Sequence, residues 1–163
     1  MTIAVTSLGK CQILVDTGTS NALEELGYST DQVTTQQRRF EHAVHSDENG
    51  GSEGIPIDIQ DLGWMEIVSF ELVNFDYAVY SKIQAGYHSQ TAGEIGTVGQ
   101  FMTSGEFRLL LKPNPSSPNN PRNYLHAVPW NRSDWAAGVK ATRIPMVWRC
   151  YPVSGVVWNS TTT

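Results

Sequence analysis

The stretch Ile13-Leu14-Val15-Asp16-Thr17-Gly18-Thr19-Ser20 carries the most suggestive chemistry in this chain. An apolar strand running into Asp-Thr-Gly sets a carboxylate on a tight turn, and two such carboxylates placed side by side share one proton. That chemistry needs a second Asp-Thr-Gly, from the same chain or from a partner copy, and the sequence contains only one. Turns favour Asp and Gly for backbone reasons of their own, so the stretch reads first as the end of a strand.

The other reactive residue types are more weakly placed. His42-Ala43-Val44-His45, with Asp47 and Glu48 nearby, has the spacing of a metal pair only on a helix; on a strand, positions i and i+3 point to opposite faces. Asp47-Glu48-Asn49-Gly50 has no acidic residue at the closing position of a calcium loop. Cys11 and Cys150 form no Cys-x-x-Cys pair and read as small buried hydrophobes. The glycines at 93, 96 and 99 lack the Lys-Ser/Thr or helix that a phosphate cradle requires. No catalytic set, metal site or cofactor is expected. The Asp16 stretch resembles the aspartic-protease signature, and the enzyme alternative it implies is a dimeric, retropepsin-like protease using Asp16.

The elements that position these residues are mostly strands. Residues 2–7 and 11–16 alternate around a turn at 7–10 and read as a hairpin. Ser20 is placed to cap a helical turn ending at Gly27. A long polar strand is expected over 33–46 and the clearest strand over 64–73, where Val68, Phe70 and Leu72 share a face. The period then changes: Phe75, Val79 and Ile83 fall on one helical stripe, with Asn74 as expected N-cap. Residues 106–112, 123–130 and 141–152 complete the strand candidates, the last with Ile144, Met146, Trp148 and Cys150 on one face. Long loops are expected at 47–62, 86–105 and 113–139, with a mobile tail over 154–163. The whole chain, 1–163, reads as one domain.

Composition agrees with a turn-rich β protein. Charged residues are only 17% of the 163, while Gly (14) and Pro (8) are frequent. The net charge of −5, with Arg38-Arg39 as the longest basic run, gives no footprint for gripping nucleic acid. The opening Met1-Thr2-Ile3-Ala4-Val5 has neither a basic leader nor a long apolar run, and no segment reaches membrane-spanning length. A reducing cytoplasm is the expected compartment. Five tryptophans are many for this length, and aromatic surplus favours protein–protein contact.

Three features together are similar to the tail tube subunit of tailed bacteriophages. The first is Leu26-Gly27-Tyr28-Ser29-Thr30-Asp31-Gln32-Val33 leading into a long polar strand. The second is Asp47-Glu48-Asn49-Gly50 through Ile55-Pro56-Ile57-Asp58 and Gly63 into the strand and helix beyond. The third is the glycine-studded loop, the strand 106–112, the Pro/Asn loop and a closing Arg143-Ile144-Pro145-Met146-Val147-Trp148-Arg149. The resemblance runs from about residue 2 to 153, and the tryptophan-bearing stretch 113–139 departs from it. It implies an all-β fold with one flanking α-helix, an antiparallel β-sandwich or half-barrel. It further implies hexameric rings stacked into a hollow tube, with strands shared between copies and DNA only in transit. The implied location is the virion tail, assembled in the host cytoplasm beside other tail proteins and without a membrane. Expected subunit contacts are Ile55, Pro56, Asp58, Trp64 and Phe101; Glu41, Glu66 and Glu71 are candidates to face the lumen. Tail terminator, distal-tail and head-decoration subunits are the structural alternatives.

Overall fold

Alternating apolar residues dominate the ordered elements of the computed structural model, which describes residues 5–7, 9–17, 22–44, 58–85, 107–130 and 143–162. The strands are β1 (Val5–Ser7), β2 (Cys11–Asp16), β3 (Glu24–Ser29), β4 (Thr34–Val44), β5 (Asp58–Val73), β6 (Phe107–Pro113), β7 (Arg122–Pro129) and β8 (Ile144–Cys150). One helix, α1 (Tyr77–Ala85), follows β5. The protein is all-β with one helix, and every strand pair is antiparallel.

The ladder closes on itself. It runs β5-β3-β2-β6-β7-β8, and β8 pairs back onto β5 from Glu66↔Cys150 to Leu72↔Ile144. The expected half-barrel is therefore a closed barrel, whose body leaves few strand borders open. β5 makes this possible through its length. One of its borders carries β8, and the other carries β3 at residues 72–73 and then β4 from residue 69 down to 58.

Inside, Ile13, Val15, Leu72, Leu109, Leu111, Tyr124, Ile144, Met146 and Trp148 are fully enclosed in one core with Val68, Phe70 and both cysteines. Fully burying side chains of this size stabilises by about 1.5–3 kcal/mol each. Val79, Tyr80 and Ile83 of α1 join that core. Asp76 caps the helix, accepting from the N–H groups of Ala78 (2.8 Å) and Val79 (3.3 Å). Asn74, the expected cap, instead takes a left-handed conformation (φ 49°) that turns the chain toward the helix.

Other expectations need correcting. β1 and β2 do not form a hairpin: β1 pairs with β4, while β2 lies between β3 and β6. Residues 24–29 are a strand, not a helical turn, because Leu26 and Ser29 are buried between neighbouring strands. At Gly27 a Cβ would stand 2.9 Å from the Phe75 Cα, so the absence of a side chain lets the β5–α1 connection cross β3. Residues 58–62, expected in a loop, begin β5, while the strand expected at 123–130 is β7, inside the longer stretch 113–139. The tail is docked: Val157 is buried, and Asn159 exchanges backbone hydrogen bonds of 2.8 and 3.0 Å with Asn123. The expected loop 86–105 lies outside the described residues.

Candidate functional site

Where β4 and β5 run beyond the barrel they form a two-stranded arm. Register holds from Thr34↔Ser69 to Arg39↔Trp64, shifts by one residue, and resumes from Glu41↔Asp61 to Val44↔Asp58. Gly63 absorbs the shift at φ 91°, its N–H held by Asp61 Oδ1 at 2.9 Å. Two residues of β5, Leu62 and Gly63, thus oppose Phe40 alone, which is a β-bulge. Residues 38–43 and 58–62 are all exposed, so neither face of the arm rests on the body.

The arm carries apolar groups into solvent. Phe40 (40% exposed) and Leu62 (58%) share the face continuous with the outside of the barrel; Ile59 (57%) lies on the other face, opposite Ala43. Arg39 pairs with Asp61 at 3.7 Å, both side chains more than half exposed. Such a pair contributes little by itself. Arg38 lies near the Phe40 ring (5.8 Å to its centroid) and has no carboxylate within ion-pairing distance among the described residues.

At the base of the arm the ladder along β5 breaks between Leu72↔Ser29 and Ser69↔Thr34. An open groove of about 680 Å³ occupies the break, lined in part by Asp31, Glu71, Pro145 and Val147. Asp31 is exposed and Glu71 half-buried, the latter accepting from Thr30 Oγ1 at 3.5 Å. No cationic side chain among the described residues lines it.

The expected site residues fall in different places. Glu41 is exposed on the arm opposite Asp61, and Glu71 lies in the groove. Glu66 does not face solvent: it is 4% exposed and accepts from Arg122 Nη1 at 2.7 Å, so it cannot line a water-filled lumen. Arg122 reaches from β7 past β8, donates also to Thr35 Oγ1 (3.1 Å) and lies under the Trp158 ring at 4.5 Å. Asp58 is exposed at the start of β5, whereas Trp64 packs half-buried against the core. Ile55, Pro56 and Phe101 lie outside the described residues.

Asp16 ends β2 opposite Arg108, and Thr17 Oγ1 bonds to Glu24 Oε2 at 3.2 Å; Gly18 lies outside the described residues. His42 is exposed on the arm, and His45 is outside the described set. No group of three metal-binding side chains occurs among the described residues. Both cysteines are free and buried, and burial pushes the Cys11 thiol up to about 11 and the Cys150 thiol well above its ordinary value. No helix among the described residues is long and apolar enough to cross a membrane.

Sequence reasoning passed over Phe40, Leu62, Arg38 and Asp31 as contact residues. The available signal was Phe40 beside two arginines in an otherwise polar strand. A scan against protein-family models finds no match, and a search of curated proteins finds none either.

Proposed function

We propose that this chain is a structural subunit of a phage-tail-tube type, assembling into stacked hexameric rings that form a conduit for DNA. The observation that carries the reading is the arm: among the described residues, two strand borders without a partner strand and three exposed apolar side chains, projecting from a barrel whose own ladder closes. A lone protein gains nothing from such an extension, and an exposed strand border is a template for pairing with another chain. Order and spacing along residues 2–153, resembling tail tube subunits, support the same assignment. The net charge of −5 suits a lumen that lets a polyanion slide past without binding.

In this reading strand sharing is confined to the arm, since the barrel has already closed its own borders. Glu41, exposed beside Asp61, is then the lumen candidate that the geometry favours. Negative-stain images and sedimentation of the purified full chain test the proposal. Rings of six copies, or tubes of stacked rings, are the expected result. A monodisperse monomer or small dimer at high concentration overturns it.

A further inference from the structure

We infer that the outer face of the arm, presenting Arg38 with Phe40 and Leu62, docks into the groove of a second copy, the one lined in part by Asp31, Glu71, Pro145 and Val147. The inference rests on the assembly proposed above and names the interface that builds it.

Three observations bring the two surfaces together. The first is apolar complementarity. Phe40 and Leu62 stand side by side across the bulge, and the groove offers an exposed Pro145 with a half-buried Val147. A groove of about 680 Å³ falls within the roughly 300–1,000 Å³ of clefts that enclose a compact guest. An aromatic and an arginine together are also the residue types that anchor protein interfaces.

The second is charge. Arg38 lies two residues before Phe40 on the same face of β4 and lacks an acidic partner among the described residues. Across the proposed contact it meets Asp31 and Glu71, two carboxylates whose groove is lined by no cation among the described residues. Complementary charge fixes register and excludes wrong pairings.

The third is reach. The groove is built at Thr34 and Ser69, and Phe40 stands further out on the same strands. Six residues of extended strand separate Thr34 from Phe40 by about 20 Å. An arm made of those strands cannot bend back into its own groove, so within the assembly proposed above its guest is the arm of another copy. The contact joins two different patches of one chain. It is therefore heterologous, the type that closes rings or propagates along a stack.

Charge exchange tests the pairing. Four full-length proteins are compared: wild type, Arg38→Glu, the double variant Asp31→Lys/Glu71→Lys, and the combination of all three changes. Sedimentation velocity reads the concentration at which assembly begins, and circular dichroism checks that each variant is folded. Each reversal should raise that threshold by about tenfold or more, and the combination should return it to within about threefold of wild type. In parallel, Leu62→Cys with Pro145→Cys should give disulfide-linked oligomers under mild oxidation, because both native thiols are buried. If wild type assembles while groove reversal is silent, or if the combination stays as defective as its worse parent, the docking is overturned and the tube reading stands. Arm-to-arm pairing gives that same pattern, with Arg38→Glu active and the groove inert. A wild type that stays monomeric overturns both.

Discussion

Arg122 joins parts of the protein that the ladder leaves apart. Its guanidinium holds Glu66 of β5 and Thr35 of β4 from a position on β7, with Trp158 of the docked tail stacked above. Replacing it by Met would leave the Glu66 carboxylate buried without a counter-charge, and a loss of about 3–5 kcal/mol in urea unfolding is expected. Changing Glu66 to Leu as well should recover much of that loss, because the buried charge goes with its partner. The buried thiols make stability depend on alkaline pH. Cys11 has a folded pKa of about 11 against an ordinary 9.0, raised by burial, so the fold favours the neutral thiol. Its contribution is complete below pH 9 and disappears as pH rises toward about 11. Urea midpoints measured across that window should fall for wild type and fall less for Cys11→Ala. Burial raises Cys150 and Tyr124 in the same direction, so some slope remains.

Among the elements, β3 and α1 meet at close range. The Asp76 N–H donates to the Leu26 carbonyl at 2.9 Å, and Lys82 reaches both Glu24 oxygens at 2.9 Å. Gly27 lies between them at φ 153°, with Asn74 and Val73 carbonyl oxygens 3.0 Å from where a Cβ would sit. These contacts are backbone atoms and cannot rotate away. Gly27→Ala should therefore lower stability by about 1–3 kcal/mol, read as a reduced thermal midpoint, with the helix signal lost along with the sheet. The glycine at the arm is different. Gly63 has open space around its Cα, and its positive φ alone restricts it. A substitution there distorts the arm more than the barrel.

At the scale of the whole molecule, the closed barrel and the projecting arm have separate tasks. The barrel holds the core and closes its own ladder. The described residues of the arm, 38–43 and 58–62, are exposed and contribute almost nothing to that core. Phe40→Ser with Leu62→Ser should therefore remain a cooperatively folded monomer whose thermal midpoint does not depend on concentration. Under the proposed assembly, wild type should melt higher as concentration rises. A double variant that fails to fold would show that barrel and arm are one unit, against this division.

The sequence alone determined what strict alternation and residue chemistry determine. Val68, Phe70 and Leu72, then Ile144, Met146, Trp148 and Cys150, share buried faces because a strand's side chains repeat every two residues. The helix was legible from Phe75, Val79 and Ile83, although the cap was expected two residues too early, since Asn and Asp are interchangeable as cap candidates until the backbone shows which one faces the first turn. Tertiary structure decided which strands pair. Nothing local tells Ile13 and Val15 that their neighbours are β3 and β6 rather than β1. It also decided the fate of Glu66: an acidic residue in a strand reads as exposed until an arginine 56 positions away is brought within 2.7 Å. The arm was hidden for the same reason. Whether Phe40 and Leu62 are core or surface depends on where the barrel ends, and the barrel ends where β8, far along the chain, stops covering β5.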